Sequence, residues 1–133
     1  LPTLRRLCER HPELPVVIDH AAKPDIAHRL FEPWATEIAL IAKETSALCK
    51  LSGLVTEAGA DWEIGDLRPY FDHLLDIFGP TRLMWGSDWP VVNLAGGYRK
   101  WRSATISLLE DLDTSARAAI LGGTAARFYG LVP

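Results

Sequence analysis

The nine residues RLMWGSDWP, Arg82 to Pro90, run from an apolar triplet through a glycine to one aspartate between two tryptophans, and stop at a proline. Leu83, Met84 and Trp85 are a short apolar run bounded by turn residues, which reads as a strand buried on both faces, as parallel strands are. Two other segments share this form. VVID, Val16 to Asp19, leads into HAAKPD, where Pro24 breaks any continuation. LCKLSGL, Leu48 to Leu54, also reads as extended, with Gly53 as punctuation. The polar residues that follow the three runs, His20, Ser52 and Asp88, are 32 and 36 residues apart. That interval is one βα unit, the repeat of an eight-unit barrel of roughly 250 residues.

Helical patterns fill the intervals. PTLRRLCER places Leu4, Leu7 and Cys8 on one face. Phe31, Trp34, Ile38 and Ile41 recur at helical spacing, with Pro33 tolerated near the start. GDLRPYFDHLLDIFGP has Asp66 as its expected cap, Pro69 in its first turn and a stripe of Leu67, Tyr70, Phe71, Leu74, Leu75 and Phe78, before Gly79-Pro80 stops it. GGYRKWRSATISLLEDL turns Tyr98, Trp101, Thr105, Leu108, Leu109 and Leu112 to one side. The last stretch reads as two short helices, the first capped by Thr114 or Ser115, the second by Thr124 after a joint at Gly122-Gly123. Alternating helices and strands mean an α/β fold with parallel βαβ units. Three units are too few to close a barrel and few for a doubly wound sheet.

The bulk numbers narrow the function classes. The 133 residues carry 14 Lys and Arg against 17 Asp and Glu, a formal net charge of −3. A mildly acidic chain without a basic cluster argues against a nucleic-acid partner. YRKWR, Tyr98 to Arg102, reads as the solvent face of a helix. Cys8 and Cys49 have no paired spacing, which gives neither a zinc ribbon nor a disulfide framework and suits a reducing compartment. No apolar run approaches the ~20 residues of a membrane span and no signal-like start is present, so a cytoplasmic setting is expected. Residue 1 is Leu rather than Met, and the βα organisation points to part of a longer chain.

In parallel α/β folds, ligands sit at the carboxyl ends of the strands. Asp19-His20, Lys50-Leu51-Ser52 and Ser87-Asp88 all fall there. A carboxylate and an imidazole at neighbouring strand ends suit a general base with an electrophile or metal ligand. A strand-end aspartate that only accepts backbone N–H bonds is the plain alternative. Trp85 and Trp89 are expected to exclude water beside Asp88, and desolvation raises a carboxylate's pKa unless a cation offsets it; packing between strand and helix is the competing role for Trp85. His73, flanked by Asp72 and Asp76, reads as a residue of a solvated helix face. There is no glycine-rich phosphate loop and no nucleophile elbow.

Taken together, VVIDHAAKP (Val16–Pro24), CKLSGL (Cys49–Leu54), MWGSDWPV (Met84–Val91) and ILGGTAARFYGL (Ile120–Leu131) resemble the C-terminal part of the amidohydrolase-related TIM-barrel hydrolases. The similarity is to the sugar-lactonase branch with its fuconolactonase-like and rhamnonolactonase-like enzymes, as is the loop PVVNLAGGYRKW. The resemblance covers nearly the whole chain. It implies that residues 1–133 are one partial barrel domain, about three βα units of a (β/α)₈ barrel, with the N-terminal strands missing. It further implies a hydrolase that opens an aldonolactone. Asp88 matches the general base that activates water, and His20 matches the histidine that polarises the carbonyl or holds substrate. Trp89, Ser52 and Lys23 are the expected substrate contacts.

The family's first-strand His-x-His pair does not occur in this sequence, so no metal is expected. If one binds, His20 and Asp88 are its ligands, and zinc is the metal the superfamily implies. Two alternatives follow: a zinc-dependent decarboxylase or amide hydrolase of the same superfamily, and a non-catalytic α/β fragment. Either way, open strand edges call for an upstream half-barrel or self-association. The isolated chain is expected to be inactive.

Overall fold

The computed structural model describes residues 1–131. Three parallel strands, β1 (Val17–Ile18), β2 (Leu48–Leu51) and β3 (Leu83–Trp85), form one sheet in the order β1-β2-β3. Ile18 pairs with Cys49, Cys49 with Leu83, and Leu51 with Trp85. Side chains alternate along a strand, so this register turns Ile18, Cys49, Leu51 and Leu83 to the same face. All four are buried in the main apolar cluster. Lys50 and Met84, also paired, take the other face.

Helix α2 (Trp34–Glu44) connects β1 to β2, and α4 (Ile64–Phe78) connects β2 to β3. Both follow their sequence stripes: Trp34, Ile38 and Ile41 are buried on α2, and Leu67, Tyr70, Phe71, Leu74 and Phe78 on α4. Leu75 is only partly buried. Helix α1 (Pro2–Arg10) buries Cys8 and leaves Leu7 exposed. Helix α5 (Gly97–Leu108) buries Trp101, Thr105 and Leu108, and Arg99, Lys100 and Arg102 are exposed as expected.

Several local readings change. The extended segment predicted through Leu54 ends at Leu51, because Gly53 at φ 67 turns the chain into a one-turn helix, α3 (Leu54–Glu57). Helix α4 begins three residues early. Glu63 is its N-cap and Asp66 is the third helical residue, its Oδ2 accepting the Glu63 N–H at 3.0 Å in a capping box. The first C-terminal helix, α6 (Thr114–Ala118), is capped by Asp113, which accepts from the Ala116 N–H at 2.8 Å. Gly122-Gly123 is not a joint. The chain stays helical through one wide turn, Ala119–Gly123, into α7 (Thr124–Phe128). Thr124 does not cap; its hydroxyl donates to the Pro80 carbonyl at 3.2 Å and fastens α7 beside the start of β3. His73 is not simply solvated, since Nε2–H donates to the Ala35 carbonyl at 3.0 Å and ties α4 to α2. Among the described residues, no helix is long and apolar enough to cross a membrane.

Candidate active site

The carboxyl ends of the three strands carry the polar residues. After β1 the backbone makes a left-handed turn of four consecutive non-glycine residues: His20, Ala21, Ala22 and Lys23, at φ 48, 50, 58 and 56. Left-handed backbone costs an L-residue roughly 1–2 kcal/mol, so the turn must be held from outside. Lys23 N–H donates to the His20 carbonyl at 2.8 Å, and the indole N–H of Trp34 donates to the Ala21 carbonyl at 2.7 Å. Ala21 itself is fully buried. No glycine marks this turn in the sequence; the distant Trp34 supports it.

The turn sends His20 toward the ends of β2 and β3. Nδ1 lies 2.9 Å from Ser52 Oγ. On the other side of the ring, Nε2 is 3.2 Å from Asp19 Oδ2 and 3.7 Å from Asp88 Oδ1. Asp88 follows β3 in a left-handed conformation, φ 56, with its carbonyl accepting the Val92 N–H at 2.8 Å and its side chain only 10% exposed. The preceding loop is drawn onto the sheet by Gly86 N–H, which donates to the Leu51 carbonyl at 3.1 Å, and by the Trp101 indole, which donates to the Gly86 carbonyl at 2.9 Å.

His20, Ser52 and Asp88 come together. Ser52 is 2% exposed, seated behind the imidazole. Lys23 points to Glu57 on α3, Nζ to Oε1 2.6 Å. The Glu57 carboxylate, by hydrogen bond and charge, holds the Lys23 ammonium above its usual pKa, against a desolvation penalty, and the Asp88 charge adds to the effect. Trp89 is 70% exposed. Trp85 does not wall off Asp88: its indole donates to Thr105 Oγ1 at 2.9 Å and stacks on Trp101, on the helix side of the sheet. Strand alternation gives the reason, because Trp85 shares a face with Leu51.

Two members escaped the sequence reading. Glu57 carried no motif; its one signal was a carboxylate one short helix past a strand end. Asp19 was seen as a strand-end residue but not as a partner. It pairs with Lys50, Nζ to Oδ1 3.1 Å, and this hydrogen bond is the main reason the Lys50 pKa is raised. A cavity of about 400 Å³ lined by Cys8, His11, Val16, Lys43 and Ala47 lies at the opposite, amino end of the sheet.

As a metal site the arrangement is partial. His20 Nε2 and Asp88 Oδ1 lie close together, and Ser52 anchors Nδ1 in the way outer partners hold metal-bound imidazoles. These two donors fit one side of a zinc shell. Among the described residues, no group of three or more His, Cys, Asp or Glu side chains has metal-holding geometry.

A family model described as amidohydrolase matches residues 1–131, essentially the whole chain. The chain belongs to the amidohydrolase family. Two curated relatives of this chain, from Burkholderia ambifaria and Burkholderia multivorans, are both named L-fucono-1,5-lactonase. Each is 42% identical; the matches cover 97% and 98% of this chain but 46% and 48% of the relatives. A crystal structure of an amidohydrolase from Burkholderia multivorans with bound zinc is 41% identical, with a TM-score of 0.86 over 99% of this chain and 49% of that one. The chain thus spans about half the length of the curated relatives it matches, and its three-stranded sheet is part of an amidohydrolase TIM barrel.

Proposed function

We propose that this chain supplies the Asp88–His20 side of a hydrolase site that opens a sugar lactone, an aldonolactone. The observation that carries the proposal is the convergence of a nearly buried carboxylate and an imidazole at the strand ends, Asp88 Oδ1 3.7 Å from His20 Nε2. The 42% identity to two L-fucono-1,5-lactonases supports the substrate class.

In this mechanism Asp88 accepts a proton from water as the water oxygen bonds to the lactone carbonyl carbon. The carbonyl electron pair moves onto its oxygen, where His20 Nε2–H stabilises the charge by hydrogen bonding. When the tetrahedral intermediate collapses, the ring C–O bond breaks and Asp88 returns the proton to the departing alkoxide. The product is the open hydroxy acid. Trp89 and Lys23 are assigned to substrate contact, the indole for a sugar face and the ammonium for a hydroxyl or carbonyl oxygen. The rest of the site comes from barrel segments outside this chain.

In a second reading, favoured by the zinc-bound relative, His20 and Asp88 would be this chain's ligands to a zinc ion, with further donors from outside this chain. Zinc would supply Lewis-acid polarisation of the carbonyl. The deciding test is lactone hydrolysis, followed by proton release, for the complete gene product carrying this chain and for the 133-residue chain alone. A panel of aldonolactones is assayed with and without a chelator. Turnover by the complete protein that survives chelation supports the metal-free mechanism, and loss on chelation supports zinc. Asp88→Asn is expected to lower kcat about 10²- to 10⁴-fold with unchanged thermal stability. A kcat within a few-fold of the parent would remove Asp88 from the chemistry.

A further inference from the structure

The lactonase reading uses His20 as a donor through Nε2, yet an imidazole can carry its proton on either nitrogen, and its neighbours decide which. Two carboxylate oxygens face Nε2, Asp19 Oδ2 at 3.2 Å and Asp88 Oδ1 at 3.7 Å. A lone pair there would point at negative charge, whereas an N–H is attracted to it. In the neutral ring Nδ1 is then the acceptor nitrogen. Its partner at 2.9 Å is the hydroxyl of Ser52, a group that can donate or accept. Ser52 is 2% exposed, and no buried side-chain polar atom among the described residues lacks a partner.

We propose that Ser52 is a positioning residue whose buried hydroxyl donates to Nδ1 and holds His20 as the tautomer with Nε2–H turned to Asp88 and the substrate carbonyl. Two glycines keep the seat clear. A Cβ on Gly53 would lie 2.7 Å from His20 Cβ and 2.9 Å from its Nδ1, and one on Gly86 would lie 3.2 Å from Ser52 Cβ. Real Cβ atoms essentially never approach as closely as the Gly53 contacts, and the Gly86 contact is tight enough to push Ser52 by a few tenths of an ångström. Both strand-end glycines therefore serve this one hydrogen bond, which joins residues 32 positions apart. Ser52 does not need to touch the substrate. It determines which face of the electrophile the substrate meets.

The consequence for catalysis rests on the lactonase proposal; the tautomer itself does not. The experiment is nitrogen-15 NMR of histidine-labelled complete gene product, with chelator, in mildly alkaline buffer. The His20 signals are identified by their loss in His20→Gln. The parent protein is expected to show Nε2–H alone. Ser52→Ala is expected to shift the ring toward Nδ1–H and to lower kcat for an aldonolactone about 10- to 100-fold with little change in KM. A parent ring protonated at Nδ1, or at both nitrogens, overturns the proposal without any variant. So does a Ser52→Ala ring identical to the parent's. If the parent opens no lactone but its tautomer depends on Ser52, the substrate reading fails and the role of Ser52 stands.

Discussion

At the scale of single residues, placement in the fold decides what a position can hold and how its side chain can react. Gly53 shows this most directly. At φ 67, with His20 occupying the space where a Cβ would go, it can be nothing larger. Gly53→Ala is expected to lose roughly 1–2 kcal/mol from the left-handed backbone alone, and more from displacing His20. Urea denaturation would show a lower midpoint with an unchanged slope; a drop no larger than the backbone cost would mean the ring had shifted freely, and an unaltered midpoint would refute both costs. Cys49 makes the same point for reactivity. Read from sequence it is one of two unpaired thiols; in the fold it has no exposed surface, and burial pushes its thiol from 9.0 up to about 12. A folded pKa above the unfolded one favours the folded state below the unfolded value, and that advantage is lost as pH climbs to the folded one. Stability is therefore expected to decline between about pH 9 and about 12, and Cys49→Ala to flatten this part of the profile. An identical decline in Cys49→Ala would assign it to other groups. The same burial makes Cys49 unreactive to thiol reagents until the chain unfolds.

At the scale of elements, one side chain does what no helix pattern announces. The Arg82 guanidinium donates to five carbonyls: Ala42 at 2.9 Å, Thr45 at 3.1 Å and Ala47 at 3.4 Å near the end of α2, and Ile77 at 3.1 Å and Phe78 at 3.3 Å in the last turn of α4. Helix C-termini leave carbonyls without intrahelical partners and concentrate negative partial charge. A partly buried cation answers both needs and locks two crossover helices to the start of β3. Arg82→Met keeps the stem and removes the donors, and is expected to cost about 2–4 kcal/mol. Thermal unfolding measures this, and a loss no larger than that of an exposed arginine such as Arg99→Met would refute the role. The helix stripes were legible because their 3.6-residue period is written in adjacent residues. Arg82 was not, since its acceptors are backbone atoms as many as 40 positions away.

At the scale of the whole molecule, the sheet is open. β1 and β3 each pair on one side only among the described residues, and Trp89, Val91 and Leu94 are 70%, 48% and 80% exposed. Unpaired edges and apolar surface drive association. The 133-residue chain alone is expected to sediment above its 14.7 kDa monomer mass and to turn over no lactone. A monomer that binds no hydrophobic dye would show that the open face needs no cover. The sequence by itself determined the βα alternation, the buried stripes, the three strands and the polar residue beyond each one. Those features depend on side-chain period and chain order, which neighbouring residues express. Tertiary structure alone decided that His20 meets Ser52 and Asp88, that Lys23 meets Glu57 while Trp85 turns away, and that a glycine-free segment winds left-handed after β1. Each of those depends on groups far along the chain, Trp34 holding Ala21 among them, and on a backbone geometry that local preference opposes.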